Sequence, residues 1–362
     1  MTTKYHISKN GTVVICRAVT KPCPLGGGHF DTKEAGEAYL QEKYSAMDTY
    51  ETHVRFGTEY KTIDANERGK IVEKETTQAS KDGKNSVDIY FDSNTGEWTK
   101  ERQKLHDEII AEFHKKYKNV PNDNRAVFSA GLPGAGKTTV LTNYENLDMD
   151  TWATVSSDDM KEILAEGGHV PNIEGLTPME SSTLVHKESS MLADRLLSEL
   201  SSQGKNIIYD FTCKNVRRTK KRIDTLVKSG YETTNMQFIF VDISLQTAKE
   251  RAKFRYVRGL NEGLRTEREN LNKDKDKMPV IGGRYLPAYV IDESKPKTDK
   301  YSSVNAKALI QLHEDADLGL PEPKVYDNSG SAPILINYND FNKESSSTLD
   351  NKSKPGLARL PN

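Results

Sequence analysis

Three cysteines in 362 residues, Cys16, Cys23 and Cys213, are too few and too scattered for a disulfide framework. A reducing cytoplasm is the expected setting. Cys16 and Cys23 with His29 could in principle hold a metal, but zinc sites use shorter cysteine spacings and a fourth ligand. Buried or turn cysteines are the plainer expectation. The sequence also lacks any run approaching 18 apolar residues, and Met1 to Thr12 has no apolar segment of the signal-peptide kind. Neither a membrane span nor signal-directed secretion is expected. Net charge is missing too, since 52 lysines and arginines nearly cancel 53 aspartates and glutamates. No global field draws the chain to nucleic acid or to an anionic membrane, so any basic site has to be local.

What is present is 35% hydrophobic and 29% charged sequence with a mean hydropathy of -0.73, polar for a globular chain but enough for one sizeable core. The length allows one catalytic domain with additions. Residues 1–45 read as two short strands around Asn10-Gly11, a glycine turn at Gly26 to Gly28 and a helix from about Thr32 to Tyr44. This makes a small α+β module of unassigned role. Residues 46–95 read as a linker or decoration, with an exposed loop at Ala79 to Asn85 and a strand at Val87 to Phe91. Thr99 then caps a helix running to about Tyr117, with Leu105, Ile109, Ile110 and Phe113 on its inner face. The tail from Lys343 has almost nothing to bury and is expected to be disordered.

After a break at Pro121 to Asn124, apolar runs alternate with helical patterns. The runs are Ala126 to Ala130, Trp152 to Ser156, Asn206 to Tyr209 and Gln237 to Asp242, followed by a strand pair at Lys324 to Tyr326 and Pro333 to Ile336. This predicts an α/β fold with a central parallel sheet of about five strands and crossover helices. The first run leads into Gly131-Leu-Pro-Gly-Ala-Gly136-Lys137-Thr138-Thr139, the P-loop pattern, with a helical stretch after it. Gly131, Pro133, Gly134, Ala135 and Gly136 let backbone N–H groups face phosphate oxygens at a helix amino terminus. Lys137 is expected at the transferred phosphoryl group. The Thr138 hydroxyl belongs on Mg²⁺, and Thr139 closes the ATP cradle. A guanine-reading switch is excluded, because Asn272-Lys273-Asp274-Lys275 misses its final aspartate and Asp327-x-x-Gly330 comes far too late.

From about Trp98 to Ile336 the sequence resembles the zeta toxin family of kinases. The shared features are the GLPGAGKTT loop, VSSDDMK, VHKESSMLADRLL, IIYDFTCKN, AKERAKFR, GGRYLP and VYDNSG, in that order. The resemblance implies a P-loop kinase fold over residues 96–342. It also implies ATP and Mg²⁺ as cofactors and a sugar hydroxyl of UDP-N-acetylglucosamine as acceptor, with toxin–antitoxin biology. Family members beside extra modules, as here, can use other acceptors.

A kinase needs a carboxylate by the acceptor hydroxyl at the strands' carboxyl ends. Asp158 stands there, and the resemblance makes it the base that accepts the hydroxyl proton; a helix-capping role for the Asp158-Asp159 pair is the plain alternative. A helix opening at Thr177-Pro178, with Glu180 at the capping-box offset, carries Leu184, Met191, Leu192 and Leu196 on its core face. Its body also offers His186, Glu188, Ser190 and Asp194, with Glu188 and Asp194 expected at the acceptor and Asp194 matching a longer family glutamate. Asp210 and Thr212 flank Phe211, which replaces a family glycine, and Lys214 takes the place of a family arginine. Between Lys249 and Arg284, eleven lysines and arginines against six carboxylates suggest a lid. Its Arg251, Arg255 and Arg284 are candidates to spread charge over the transferred group, with Arg284 in a fixed Gly-Gly turn.

Two other function classes stay open on the sequence. A kinase of a nucleic-acid or nucleotide hydroxyl would share the loop, the aspartate and the arginines, using the amino-terminal module to hold a polymer. A non-catalytic ATP-binding protein is disfavoured because Lys137, Thr138 and Asp158 are all present. If the protein is a toxin, either a separate antitoxin or its own amino-terminal third restrains it.

Overall fold

The computed structural model describes residues 5–7, 13–15, 30–36, 51–56, 59–271, 279–297, 301–330 and 332–344. Strands β1 (Tyr5–Ile7) and β2 (Val13–Ile15) pair antiparallel, as the Asn10-Gly11 turn signal predicts. The glycine turn, most of the first helix, Cys16, Cys23, His29 and the tail beyond Glu344 lie outside the described residues.

Residues 46–95, expected to be a linker, hold ordered elements. β3 (Glu51–Phe56) and β4 (Glu59–Asp64) form a hairpin that runs into the 17-residue helix α1 (Ala65–Lys81). Asp64 caps α1, accepting from the N–H groups of Asn66 and Glu67 at 2.8 and 3.2 Å. Ala65, Arg68, Gly69, Val72, Thr76 and Ala79 recur at helical spacing and are buried. The polar composition hid this stripe, because arginine, glycine and threonine fill positions usually held by aliphatic side chains.

Val87 to Phe91 is not a strand. α2 (Ser86–Tyr90) is a short helix, and only Phe91–Asp92 (β5) extends, pairing with Glu97–Trp98 (β6) around the expected turn. Ser86 and Tyr90, four residues apart, lie on one side, Ser86 at Glu188 and Tyr90 on Arg102, which fits helical and not alternating spacing. That helix, α3 (Lys100–Lys116), is capped by Thr99 and buries Ile109, Ile110 and Phe113.

The catalytic-half sheet is built from β7 (Ala126–Gly131), β8 (Ala153–Ser156), β9 (Ile207–Phe211), β10 (Met236–Asp242), β11 (Lys324–Asp327) and β12 (Ile334–Ile336). Its order is β12-β11-β10-β7-β9-β8; the first five strands in sequence run parallel, and β12 adds an antiparallel edge. Every residue of β7 is buried. Ala126, Phe128 and Ala130 enter one core cluster and Val127 the other, so the sheet is covered on both faces, as parallel sheets are. The crossovers include α4 (Lys137–Asn143), α5 (Ser157–Glu166), α6 (His186–Ser202), α7 (Val216–Lys228) and α8 (Leu245–Leu271). Further on come α9 (Ala288–Asp292), α10 (Val304–His313) and α11 (Tyr338–Glu344). Among the described residues no helix is long and apolar enough to cross a membrane.

Two expectations about α6 need correction. The Thr177–Glu180 capping box forms, with the Thr177 N–H on Glu180 Oε2 at 2.9 Å and the Glu180 N–H on Thr177 Oγ1 at 3.4 Å. It starts no helix, however, because the Met179 N–H goes to the Ile281 carbonyl at 2.9 Å and the chain turns before α6 opens at His186. Met191 is exposed, while Leu184, Leu192 and Leu196 are buried as expected.

Glu188 is the second correction. Its side chain is fully buried and points at α3, where Arg102 donates twice, at 2.6 and 2.8 Å, and His106 Nε2 lies 2.6 Å away. Tyr90 covers the Arg102 guanidinium, 4.5 Å from ring centroid to Cζ. This is a structural clamp between α3 and α6, outside the substrate cavity. Burial would raise the Glu188 carboxyl, but His106 and Arg102 pull it down to about 2. The depressed value means its stabilising contribution is complete above the unfolded pKa of about 4.3 and fades as pH falls toward 2. Removing one partner of a buried pair typically costs about 3 to 5 kcal/mol. Glu188→Ala should therefore lower the unfolding free energy by about that much in urea titrations at pH 7, with the gap from wild type narrowing below pH 4; an unchanged midpoint would return Glu188 to the list of ligand contacts.

Candidate active site

The P-loop hangs between β7 and α4, and its glycines are there because the backbone requires them. Gly131, Gly134 and Gly136 have φ of 141°, 80° and 85°. A Cβ on Gly131 would sit 2.3 Å from the Val241 carbonyl oxygen, and one on Gly136 would sit 2.6 Å from Asn328 Nδ2. Asn328, just past β11, donates to the Ala135 carbonyl at 2.7 Å from a buried position, bracing the loop from behind.

Pro133 to Thr138 line a cavity of about 640 Å³ at the carboxyl ends of the parallel strands. Gly131 and Thr139 lie behind it, buried, as supports of the loop. Asp158, Asp210, Thr212, Lys214, Arg255 and Arg284 line the same cavity, so six of the expected side chains converge on the loop. Arg251 does not. It lies behind the loop, donating to the carbonyls of Gly134 and Asn328 at 3.4 and 3.1 Å, and so holds the cradle instead of facing its contents. Asp194 also stands back, accepting from Arg222 Nε at 2.9 Å and from the Tyr209 hydroxyl at 2.9 Å. Arg222, its ion-pair partner, is the group that reaches the cavity.

Three cavity cations were not anticipated, Lys161, Arg218 and Arg222, and His186 and Ser190 of α6 line the cavity as well. Lys161 was legible as the residue one helical turn after Asp158. Arg218 and Arg222 form an i,i+4 pair in the first turns of α7, directly after the third strand. With Lys137, Lys161, Lys214, Arg255 and Arg284 they bring seven cations into a cavity holding three carboxylates, those of Asp158, Asp210 and Glu293. The basic site in a neutral chain is thus local, as the composition required.

Asp158 is not the cap of α5. Ser156 is, its hydroxyl accepting from the Asp158 N–H at 3.1 Å, which leaves the Asp158 carboxylate free to face the cavity. There it ion-pairs with Arg284 and with Lys161, the latter at 3.2 Å. Enclosure would raise the carboxyl, but Arg284 and Lys161 hold it well below the usual carboxylate range. It stays ionised at any pH the protein meets. Its neighbour Asp159 goes the other way, raised to about 7 by burial and by the Asp210 charge. Burial also raises Asp210, against the pull of Lys137, whose ammonium stands 3.6 Å from Asp210 Oδ1. That oxygen has no hydrogen-bond partner among the described residues. Burial and the nearby Arg284 lower the Arg255 guanidinium, which has no ion-pair partner among the described residues.

Phe211, in place of a small residue, does not block the cavity. Its ring packs edge-on to Phe128 and Tyr209, with centroids 5.9 and 5.6 Å apart, and becomes part of the wall. Thr212 remains beside it, and Lys214 pairs with Glu293 at 2.8 Å. The lid expected over Lys249 to Arg284 is the 27-residue helix α8 followed by the Gly282–Tyr285 segment; residues 272–278 lie outside the described residues. Among the described residues no cluster of three or more His, Cys, Asp or Glu side chains is suited to a metal ion.

A P-loop on the first parallel strand, a carboxylate at the end of the second and arginines from the long helix and its following loop define a P-loop protein of the kinase type. The zeta toxin family model matches residues 110–295, just over half of the chain, and the chain belongs to that family. Among solved structures it is similar to the AvrRxo1-ORF1:AvrRxo1-ORF2 complex with sulphate ions, at 17% identity over 73% of this chain and 82% of that one, TM-score 0.49. It is also similar to the AvrRxo1-ORF1:-ORF2 structure with ATP, at 16% identity over 75% and 84%, TM-score 0.46. The PezAT toxin–antitoxin system of Streptococcus pneumoniae is matched at 13% identity over 67% and 81%, TM-score 0.41. A search of curated proteins returned no match.

Lys161 lines the cavity with a lowered pKa, so polyanion affinity is expected to depend on pH. Burial and the Arg284 charge bring its ammonium down to about 8. Below that pH it is charged and adds to anion binding; above it the charge is lost. Calorimetric affinity for pyrophosphate should fall as pH rises through about 8, and this limb should vanish in Lys161→Met, which binds more weakly throughout. A limb that persists in the variant would assign the titration to another group.

Proposed function

We propose that this protein is an ATP- and Mg²⁺-dependent kinase that transfers the γ-phosphoryl group to a hydroxyl of a nucleotide sugar such as UDP-N-acetylglucosamine. The observation that carries the reading is the single cavity in which the phosphate cradle, an ionised aspartate and seven cations meet. A triphosphate alone does not call for so many cations. An acceptor bearing its own diphosphate does, and the cations of α7 and the β9–α7 loop, away from the P-loop, suit that second anion.

In this reading the loop amides from Gly134 to Thr138 hold the triphosphate, and Lys137 follows the transferred group. Mg²⁺, when bound, would neutralise charge on the terminal phosphates. The residues fit it: Thr138 offers a hydroxyl in the cradle, and Asp210 presents a buried oxygen without a hydrogen-bond partner. Asp158 orients the acceptor hydroxyl and takes its proton as the new O–P bond forms and the bridging bond to the β-phosphate breaks, releasing ADP. Arg284 and Arg255 face the same space and balance the charge that spreads over the transferred group. A strongly depressed aspartate is a weak base, so its main service is orientation, with the proton moving late. Thr212, Lys214, Arg218 and Arg222 bind the acceptor.

Depleting a nucleotide sugar in the cytoplasm would be toxic to the producing cell, and the reading assigns restraint to a separate antitoxin.

Incubation with ATP, Mg²⁺ and either UDP-N-acetylglucosamine or a 5′-hydroxyl oligonucleotide, with the phosphate followed, decides the acceptor. Label in the oligonucleotide alone would replace the nucleotide sugar by a nucleic-acid hydroxyl, and label in neither would remove both. Lys137→Ala should abolish transfer with the fold intact. Asp158→Asn should bind ATP normally yet turn over at least roughly a hundredfold more slowly, in the range lost with a general base.

A further inference from the structure

Helix α1 lies outside the family-matched residues 110–295, yet it is anchored in the middle of the molecule. Arg68 is fully buried. Its Nε and Nη2 donate to Glu180 Oε1 and Oε2 at 2.8 and 2.6 Å, and Nη2 donates also to the Gly175 carbonyl at 2.7 Å. Tyr256 of α8 donates to the same Glu180 Oε1 at 2.6 Å, and its ring meets that of Tyr285 edge-on at 5.2 Å. Tyr285 is the residue after Arg284, the partner of Asp158.

Gly69, next to Arg68, shows what this arrangement demands. A glycine inside a helix is about 1 kcal/mol less favourable than alanine. Here a Cβ would fall 2.5 Å from Tyr285 Cε2, so the helix gives up propensity to let the Tyr285 ring lie on its backbone. The other side of the segment is equally close: a Cβ on Gly283 would sit 2.1 Å from the Tyr256 carbonyl oxygen, and one on Gly282 would sit 2.3 Å from Thr177 Oγ1. Side chains along this segment alternate. Arg284 and Leu286 line the catalytic cavity, while Tyr285 and Pro287 line a groove of about 380 Å³ against α1. One extended segment is therefore the partition between the site and the helix.

We propose that α1 is a positioning element of the catalytic site: by seating Tyr285 on Gly69 and anchoring Glu180 through Arg68, it fixes Arg284 on Asp158. The proposal rests on the roles given above to Asp158 and Arg284. Arg68, Gly69 and Tyr285 touch no reacting atom; they act through Arg284.

The test uses full-length Gly69→Ala, Arg284→Ala and the double variant. Alanine favours the helix, so Gly69→Ala does not weaken α1 itself. It should lower kcat by roughly tenfold or more, as small displacements of catalytic groups do, while the KM for ATP stays within about twofold. The double variant should be no slower than Arg284→Ala alone. Additive losses, or an unchanged kcat in Gly69→Ala, would overturn the proposal. A second readout needs no acceptor. His186 faces Lys161, Arg284, Asp158 and Arg218, and burial with the Lys161 and Arg284 charges lowers its imidazole to about 4. Titrated by NMR, His186 should rise in Gly69→Ala toward its value in Arg284→Ala and no further in the double variant. A His186 that does not move in Gly69→Ala overturns the positioning claim whatever the acceptor. Concerted movement of His186 in an enzyme that phosphorylates nothing sustains it while the kinase reading falls.

Discussion

The ion pair between Asp158 and Arg284 is the contact on which the site depends, because it joins two parts of the chain that no local rule brings together. Asp158 is placed by the end of β8 and the cap of α5. Arg284 is placed by a segment with glycines on one side and Tyr285 on the other. Two like-charged cations, Arg284 and Lys161, crowd one carboxylate, and burial together with the Arg284 charge lowers the Lys161 ammonium. With seven cations against three carboxylates, the cavity has a positive excess suited to polyanions.

The neutral composition and the basic cavity are two views of one distribution. Seven cations at one end of the sheet have to be offset elsewhere, and the exposed faces of the helices supply the acidic residues. In and beside the cavity, burial lowers Lys161, Arg255 and His186 and raises Asp159 and Asp210. Asp158 goes the other way, since two cations outweigh its desolvation. This separation of neighbouring aspartates, one fixed ionised and one near 7, comes from position alone.

Much of this was legible in the sequence, and the reason lies in range. The five parallel strands, the P-loop and the position of Asp158 follow from patterns confined to about ten residues, where period and turn chemistry act directly. What failed involved partners far along the chain. Glu188 and Asp194 were read as ligands because helical spacing gives a face without saying what meets that face; Arg102 claims one and Arg222 the other. Arg251 faces the loop's back for the same reason. The region around α1 read as a linker because its buried stripe is polar, and a buried arginine is recognisable only once Glu180 is known to stand opposite it.

That misreading carries the larger point. A family pattern marks the residues that handle the reaction, yet a segment outside it can be as deeply built into the site. Gly69 contributes no functional group and would be passed over by any search for chemistry. Its value is the absence of a methyl where an aromatic ring lies, and the ring's neighbour is an arginine paired with Asp158. The ring lies between the Gly69 backbone and the Tyr256 ring, so a methyl at Gly69 has to displace it. Arg284 is the next residue along the same segment, which couples that displacement to the ion pair with Asp158.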